Sequence, residues 1–358
     1  MSYVDAYIDR ERDRIHVVER INGKREYREY PANYVFYYDD PRGKHLTIFD
    51  TPVSRFSTRN RKEFQKEVKI QGHKKLYESD INPVFRCLEE NYLNVEPPKL
   101  HTAFFDIEVD FDKEKGYSNP DDPFNAITAI TIYLDWSEQL ITLAIPPSAM
   151  TMETAKDLTK RFDNTFLFTN EAELLETFLT LIEDADILSG WNSEGYDIPY
   201  TVNRITRVLS KDDNRKWCLW GQQPKKRTFE RFGKESTTFD LVGRVHLDYM
   251  QLYRKYTYEE RHSYTLDAIG EYELEERKVQ YEGTLDQLYN QDFEKFIDYN
   301  RQDTLLLNKL DKKLRFIDLS NVLAHENTVL LMTTIGAVTV TEQAITNAAH
   351  ARGMVVPN

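Results

Sequence analysis

Cysteine is scarce in this sequence, and long apolar runs are missing from it. The two cysteines, Cys87 and Cys218, stand 131 positions apart (218 − 87), so neither a disulfide framework nor a zinc knuckle is predicted. Such cysteine usage is typical of a reducing cytosol. No stretch approaches the roughly 18 apolar residues of a membrane-spanning helix. The N-terminus, MSYVDAYIDRERDR, is charged at once and lacks an apolar signal region. We therefore predict a cytoplasmic protein without a membrane segment.

The composition is that of a folded protein, and its charge is unevenly distributed. A length of 358 residues suggests two domains or one large domain with an appendage, and 40% apolar and 30% charged residues predict a proper core. The formal net charge of −13 by itself disfavours nucleic acid as a partner. However, residues 204–234 hold ten Lys/Arg against three acids (+7), and residues 54–75 hold eight against two (+6). A solvated face is the simpler explanation of either segment. The acidic surplus would be explained if some carboxylates bind metal.

The first 98 residues have the pattern of short strands joined by turns. Alternating polar and apolar residues flank Asn22-Gly23, a dipeptide typical of a two-residue β-hairpin. Two more strand-like runs flank the turn Pro41-Arg42-Gly43. The pattern breaks at Pro97-Pro98, where two backbone donors are lost. We therefore predict a smaller, mostly β N-terminal domain over residues 1–98.

Beyond residue 98 strands alternate with helices. Aromatic and β-branched residues predict the strands, and apolar residues three or four apart predict the helices. The predicted strands are 100–111, 126–136, 139–145, 166–168 and 187–191, and the predicted helices are 170–181, 197–209 and 292–314. Three antiparallel strands followed by alternating helix and strand indicate a mixed sheet covered by helices. This is the α/β layout of ribonuclease-H-like nucleases, and we assign it to residues 99–325.

Two acids alternate with apolar residues in the first strand of this second domain, in Phe105-Asp106-Ile107-Glu108-Val109. Because successive side chains of a strand point to opposite faces, Asp106 and Glu108 share one face. Two like charges this close repel each other unless a cation lies between them. The alternative is a strand with one solvated face, which has the same pattern.

Further acids lie at the start of one predicted helix and within another. Asp197 follows the turn residues Asn192 and Gly195 at a strand-to-helix junction, the edge where α/β folds place ligands. A helix cap is the alternative role for this acid. Tyr299 and Asp303 are four residues apart on the last predicted helix, so they share one helix face. An ordinary amphipathic helix is the alternative explanation of this pair.

Taken together and in order, these groups resemble the three exonuclease motifs of family B DNA polymerases, in the DEDD superfamily with tyrosine in the third motif. They are D-x-E, N-x-x-G-x-D and Y-x-x-x-D, within 198 residues from Asp106 to Asp303. The resemblance is to the polymerases of T-even-like bacteriophages. It extends through Leu247-Asp248-Tyr249, Ser263-Tyr264-Thr265-Leu266, Tyr281-Glu282-Gly283 and Val355-Val356-Pro357. It covers residues 100–358 well and the first 98 faintly. The family's palm motifs, S-L-Y-P-S and D-T-D-S, do not occur, so we expect an engineered fragment or a split-gene product.

The resemblance implies a metal-dependent 3′→5′ exonuclease that acts on single-stranded or frayed DNA ends. Carboxylate oxygens suit Mg²⁺ or Mn²⁺ rather than zinc. By the family's pattern, Asp106 bridges two ions, Glu108 and Asp303 complete the tighter site, and Asp197 holds the second ion through water. Such a pair of ions can activate water and stabilise the leaving 3′ oxygen.

Two further residues acquire catalytic roles from the same resemblance. Tyr299 orients the attacking water by a hydrogen bond, since a phenol with its ordinary pKa of about 10 is a poor base. Lys278 matches a lysine that the family keeps near the scissile phosphate, and a solvated lysine in a charged stretch is the alternative.

Single-stranded DNA is expected to bind to a basic channel with aromatic side chains on which bases stack. The segment from Arg231 to Asp240 resembles a β-hairpin that helps the family move a primer end between active sites, with Gly233 near its tip. Asp248 and Asp267 suit helix starts and are not expected in the site. The residues expected to bind DNA are Asn192, either Phe111 or Tyr117, Lys225, Lys226, Arg227, Arg231, Gly233 and Lys234.

Two other functions remain open from the sequence. One is an RNase-D-like exonuclease acting on RNA, which shares the tyrosine motif. The other is a non-catalytic RNA-binding or translational-regulatory module, in which the N-terminal domain binds RNA through residues 54–75. Expected partners are thus a DNA 3′ end, possible RNA at the N-terminal domain, and a polymerase domain in cis or as a separate chain in the host cytoplasm. Residues 326–358 either return to the N-terminal domain, as the resemblance suggests, or receive a palm.

Overall fold

The structure is a computed structural model and describes residues 2–231 and 234–358. The chain forms two compact units, one from Met1–Lys99 with Asp318–Asn358 and the other from Leu100–Ile317. The second division falls after Ile317, whereas the sequence pattern placed it at 325. In the part of the chain that the structure describes, no helix is both long and apolar enough to cross a membrane.

The N-terminal unit contains two β-sheets. Three antiparallel strands form the first, in the order β1 (Tyr3–Asp9), β2 (Arg14–Ile21) and β3 (Lys24–Pro31). The second has the order β16-β5-β6-β4-β7, formed by β4 (Tyr34–Asp39), β5 (His45–Thr47), β6 (Pro52–Thr58), β7 (Leu76–Tyr77) and β16 (Met354–Val355). The helices are α1 (Arg61–Gln71), α2 (Pro83–Tyr92), α10 (Phe316–Glu326), which begins in the other unit, and α11 (Val338–His350), with a 3-10 helix at Leu331–Ile335. The unit is mostly β in its N-terminal part, as predicted.

Of the two turns predicted in this unit, one joins strands that pair with each other and the other does not. Asn22 and Gly23 both have positive φ, at 50° and 76°, and join β2 to β3 in a hairpin with Ile21 opposite Lys24. A two-residue turn of this kind matches the right-handed twist of the strands it connects. The strands beside Pro41-Arg42-Gly43 do not pair with each other, because β6 lies between β4 and β5 and pairs with both.

The second unit is built on a six-stranded mixed sheet with the order β11-β10-β9-β8-β12-β15. Its strands are β8 (Thr102–Val109), β9 (Ile127–Leu134), β10 (Gln139–Ala144), β11 (Thr165–Leu167), β12 (Ile187–Ser189) and β15 (Val245–His246). A separate hairpin joins β13 (Lys225–Arg231) to β14 (Lys234–Asp240). The helices are α3 (Met152–Thr159), α4 (Glu171–Leu181), α5 (Asp197–Val208), α6 (Tyr249–Tyr256), α7 (Leu266–Leu274), α8 (Leu285–Gln291) and α9 (Phe293–Leu314), with a 3-10 helix at Asp212–Trp217. The mixed α/β layout is confirmed.

The long helix α9 packs against β8 and β9, and this contact positions the site. Phe296 and Ile297 are buried among apolar residues, and burying such side chains stabilises the fold by about 2 kcal/mol each. Leu305 on this helix is only partly buried. Leu307, which is four residues after Asp303 and shares its helix face, is buried instead.

Strand direction brings the chain after β12 next to the acidic part of β8. The two strands run parallel, with Ser189 opposite Phe104. Gly190 follows, and a Cβ there would come within 3.0 Å of the Phe105 carbonyl oxygen and 2.7 Å of the Ser193 Cβ. The close approach therefore requires glycine, and it starts the loop that leads to Asp197 beside β8.

Candidate active site

Two carboxylates on β8 point to the same face of the sheet. Asp106 lies opposite Thr131 and Glu108 opposite Ala129 on β9, while Phe105 and Ile107 are buried on the other face. The register shifts directly after Glu108, which ends the regular pairing of β8 with β9. The period of two in the sequence thus corresponds to a real shared face, and this face is covered rather than solvated.

Asp303 on α9 completes a compact group of three carboxylates. One oxygen from each of Asp106, Glu108 and Asp303 lies within 4.8 Å of the other two. Asp303 is 2% exposed, and its Oδ1 has no hydrogen-bond partner in the part of the chain that the structure describes. A buried acceptor without a partner is costly, so this atom is suited to a ligand that supplies positive charge.

Burial and mutual repulsion raise the pKa values of these acids. Burial, and then the charge of Asp303, raise the pKa of Glu108 to about 8. Burial followed by Glu108 and Asp303 raises the pKa of Asp106 well above its usual range. Burial also raises the pKa of Asp303, against the opposing effect of Lys278. The group is therefore strained in its ionised form and would be relieved by a divalent cation.

Lys278 supplies a positive charge to this group. Its ammonium donates to Asp303 Oδ2 at 2.5 Å and to the Tyr299 hydroxyl at 3.3 Å. Burial opposes the charged form, but Asp303 and Asp106 raise the pKa of Lys278 overall. The backbone N–H of Lys278 donates to Asp267 Oδ1 at 2.8 Å, so an acid that we excluded from the site holds the lysine's segment in place. Burial raises the pKa of Tyr299 far above its usual range, so its hydroxyl keeps its proton.

Asp197 lies beside β8 but outside the group of three. It is the first residue of α5, it is buried, and its Oδ1 accepts a hydrogen bond of 3.3 Å from the Ile107 backbone N–H. Burial raises the pKa of Asp197 to about 7. The helix is preceded by Tyr196, which makes no side-chain cap. The carboxyl group of Asp197 is thus anchored to the backbone between the two acids of β8.

Asn300 is a site residue that the sequence analysis missed. It is fully buried on α9, and its Nδ2 donates to Asp106 Oδ2 at 2.9 Å. Tyr281 was also missed as a neighbour of the site. Its ring meets the ring of Tyr299 edge to face, with centroids 5.3 Å apart. The only available signal for Asn300 was its place inside the third motif, three residues before Asp303 on the same helix.

The loop of the second motif is held by two partners. Asp248 accepts hydrogen bonds from the backbone N–H groups of Asn192 and Glu194, both at 3.1 Å, and also caps α6 as predicted. Asn192 has a φ of 61°, in agreement with its predicted turn role. Arg227 on the hairpin donates to Glu194 Oε1 at 2.6 Å and to Asp240 Oδ1 at 2.8 Å. Its guanidinium is therefore committed to the protein's own carboxylates.

The other residues expected to bind DNA lie on the hairpin and near β8. The rings of Phe111 and Tyr117 contact each other, with centroids 4.8 Å apart, and Tyr117 is half exposed. Lys225 and Lys226 are exposed on β13. Arg231 and Lys234 are opposite each other in the hairpin register. Gly233, expected near the tip, lies outside the described residues.

The chemistry of the site fits divalent metal ions. The donors are carboxylate oxygens, which hard cations such as Mg²⁺ and Mn²⁺ prefer. The unpartnered Asp303 Oδ1 and the close spacing of the three acids both fit a cation between them. Exposed acidic groups often cluster without a metal, but Glu108 and Asp303 are buried.

Comparison with known proteins gives a consistent result. A family model for the exonuclease domain of DNA polymerase family B matches residues 52–269. The DNA-directed DNA polymerase of Escherichia phage RB69 is 25% identical over 337 residues, which cover 88% of this chain and 37% of that protein. That of Enterobacteria phage T4 is 29% identical over 154 residues, 42% of this chain and 17% of that protein. The DNA polymerase of Methanocaldococcus jannaschii is 23% identical over 301 residues, 80% of this chain and 17% of that protein.

The extent of these matches bears on the site. The family match contains Asp106, Glu108 and Asp197, and it ends before Lys278 and Asp303. The chain spans less than two fifths of the length of these curated relatives.

Proposed function

The chain belongs to the exonuclease domains of DNA polymerase family B, and from this we propose that it removes nucleotides one at a time from the 3′ end of single-stranded or frayed DNA. We further propose that the hydrolysis depends on two divalent cations, Mg²⁺ in the first place with Mn²⁺ as a substitute. The observation that carries the proposal is the group of Asp106, Glu108 and Asp303, with its buried, unpartnered Asp303 oxygen.

In this proposal the four acids form two metal-binding sites. Asp106, Glu108 and Asp303 would hold one ion, and Asp106 with Asp197 would hold the other. Bound there, the ions would lower the pKa of a water molecule and stabilise the charge on the leaving 3′ oxygen. The protein's own contribution is to keep the acids close together, buried, and in fixed orientations.

Tyr299 and Lys278 orient the reactants. The hydroxyl of Tyr299 accepts a hydrogen bond from Lys278 and keeps its proton because of its raised pKa. It can therefore direct a water molecule by hydrogen bonding, but it does not abstract a proton. The Lys278 ammonium lies beside the acids, where it can also attract a phosphate group.

The DNA strand would approach along the exposed basic side of the hairpin. Lys225 and Lys226 are suited to contact phosphates, and the paired rings of Phe111 and Tyr117 offer an aromatic surface for a base. Arg227 has a different role in this proposal, because its guanidinium joins the hairpin to Glu194.

DNA is the favoured substrate over RNA. The relatives named above are all DNA polymerases, and no observation on the described residues favours the RNase-D-like alternative. The basic residues 54–75 cover most of β6, all of α1 and the turns beside that helix, and nothing in the comparisons supports an RNA-binding role for them. A polymerase domain as partner, in cis or in trans, remains part of the proposal.

The test is degradation of a 5′-labelled single-stranded oligodeoxynucleotide in Mg²⁺, in Mn²⁺ and in EDTA. The wild-type chain and the Asp106→Ala/Glu108→Ala double variant are compared. We expect stepwise shortening from the 3′ end that needs metal and is lost in the double variant. An oligoribonucleotide of the same sequence tests the preference for DNA.

The matched control is Glu153→Ala/Asp157→Ala, a pair of exposed acids on α3. It removes the same charge from the surface and should leave the activity unchanged. If folded wild-type protein did not shorten DNA in either metal, the catalytic proposal would be wrong. Equal or faster shortening of RNA would overturn the substrate assignment alone.

A further inference from the structure

Asn300 makes its contact with the acid that stands at the centre of the group. It precedes Asp303 by three residues on α9, so the two side chains share a helix face. The side chain is fully buried. Its Nδ2 donates to Asp106 Oδ2 at 2.9 Å. Asparagine is an unfavourable choice for a buried helix position unless its amide has a specific partner.

The hydrogen bond to Asp106 determines the orientation of the Asn300 amide. An ionised carboxylate only accepts hydrogen bonds, so a flipped amide would place Asn300 Oδ1 against Asp106 Oδ2. In residues 2–231 and 234–358, Asn300 Oδ1 has no hydrogen-bond partner, so the contact with Asp106 is the interaction that orients this amide. The contact with Asp106 therefore fixes the amide, and the buried amide in turn fixes one oxygen of Asp106.

We propose that Asn300 is a positioning residue for divalent metal: it holds Asp106 Oδ2 so that the carboxylate keeps one orientation in the group with Glu108 and Asp303. This inference rests on the proposed function, because it assumes that these acids bind metal. Groups that orient a metal ligand typically change metal affinity by about 10- to 100-fold when removed. We therefore expect a loss of that size without the amide.

The experiment measures metal binding rather than catalysis. Mn²⁺ is titrated by calorimetry into the full chain without nucleic acid, for the wild type, Asn300→Ala and Asn300→Leu. Alanine removes the amide and leaves space, and leucine removes it at nearly constant volume. Melting in EDTA confirms that each variant is folded. Both variants should bind Mn²⁺ about 10- to 100-fold more weakly than the wild type.

Thr304 provides the control on the same helix. It is fully buried one turn after Asn300, and its Oγ1 donates to the Thr131 carbonyl at 3.3 Å. Thr304→Val removes the hydroxyl's bonds to the Thr131 and Asn300 carbonyls at nearly constant volume, and it leaves the Asn300 amide and the three acids in place. It should bind Mn²⁺ as the wild type does, even if it melts earlier. This separates positioning of Asp106 from a general loss of helix packing.

Each outcome has a definite meaning. Wild-type affinity in folded Asn300→Ala and Asn300→Leu would overturn the inference and leave the exonuclease proposal standing. A loss in the leucine variant alone would indicate crowding, and would also overturn it. An equal loss in Thr304→Val would assign the effect to helix packing. If the wild-type chain bound no Mn²⁺, the metal part of the proposed function would be wrong, and the inference with it.

Discussion

Replacing Glu108 with glutamine should make the metal-free protein more stable. Glu108 is buried beside two other carboxylates, with oxygens within 4.8 Å of each other. Glutamine has nearly the same shape but carries no charge, so it removes the repulsion without creating a cavity. A substitution that removes a proposed metal ligand would thus strengthen the fold, because carboxylates held close together repel each other until a cation binds between them.

Two separate calculations give the same magnitude for the stability that Glu108→Gln should add. At an effective dielectric constant of about 20, two unit charges separated by 4.8 Å repel by about 3 kcal/mol. If Glu108 instead takes up a proton, holding it protonated at pH 7 against an ordinary pKa of 4.5 costs about 3 kcal/mol. The two figures are not added, because Glu108 is either ionised and repelled or protonated at a cost. Lys278 offsets part of this unfavourable free energy. We therefore expect Glu108→Gln to raise the free energy of unfolding by about 2–3 kcal/mol.

The pH dependence of the stability follows from the raised pKa of Glu108 in the folded state. The pKa of Glu108 is raised in the folded state to about 8, so the folded chain binds more protons than the unfolded chain between pH 4.5 and 8. The wild type therefore loses stability as the pH rises through this range. The advantage of Glu108→Gln should be small near pH 4.5 and should grow up to about pH 8.

Glu171 gives a control with the opposite sign. It is also largely buried in this unit, but its carboxylate is paired with Arg204, with an Oε1 to Nε distance of 2.7 Å. It also accepts a hydrogen bond of 2.7 Å from the Ile127 backbone N–H. Removing one partner of a buried pair typically costs about 3–5 kcal/mol. Glu171→Gln should therefore destabilise the protein where Glu108→Gln stabilises it.

The assay is urea unfolding in EDTA followed by tryptophan fluorescence. All four tryptophans (136, 191, 217 and 220) lie in the unit formed by Leu100–Ile317, so the signal reports that unit. In excess Mg²⁺ the order should change, because a ligand at 100 times its Kd stabilises the wild type by about 2.7 kcal/mol. If Glu108→Gln lowered stability in EDTA as Glu171→Gln does, repulsion among the acids would not be the dominant effect.

Three further substitutions test other contacts. His350 donates to Glu78 and Glu89, and although burial works against the charged ring, these contacts raise its pKa to about 9. The wild type should therefore lose about 3 kcal/mol of N-terminal-unit stability as the pH rises from 6.5 through 9, whereas His350→Gln should not. Hydrogen exchange of α11 measures this loss, and equal pH slopes for the two proteins would contradict it. Arg227→Gln should cost about 1–2 kcal/mol in urea unfolding, because Glu194 loses its charged partner and keeps, among the described residues, only the hydrogen bond from Gln251. The exposed Lys226→Gln should cost under about 0.5 kcal/mol, and equal effects would argue against a stabilising role of the Arg227–Glu194 contact. Tyr299→Phe should lower single-turnover cleavage about 100-fold with Mn²⁺ affinity unchanged, and a matching loss of affinity would place Tyr299 among the metal-binding groups.

Features within one element could be predicted from the sequence. The period of two placed Asp106 and Glu108 on one strand face, and the helical period placed Tyr299 and Asp303 on one helix face. The mixed sheet and the hairpin at Asn22-Gly23 follow from residue preferences and turn chemistry, and the structure confirms them. The pairing of β4 with β6 could not be predicted in this way. Strand order depends on which edges meet after the chain has folded, and a turn sequence such as Pro41-Arg42-Gly43 does not encode it.

Contacts between elements account for the residues that the sequence analysis missed. Asn300 and Asp106 are 194 positions apart, and only the packing of α9 against β8 joins them. Glu194 and Arg227 are 33 positions apart on a loop and a hairpin strand. Both pairs have ordinary polar residues, so nothing in the local pattern marks them.

The basic segment 204–234 shows why summing charge along a chain overstates a DNA-binding surface. Its excess of +7 was counted as if each cation faced solvent. In the structure Arg204 pairs with Glu171 and Arg207 with Asp122, at 2.5 and 2.8 Å, and both acids lie outside the segment. Arg227 is likewise neutralised by Glu194. Part of the positive charge is therefore neutralised by the protein's own acids, and contacts with phosphates depend on cations that are exposed on the hairpin, with Lys225 the first to test.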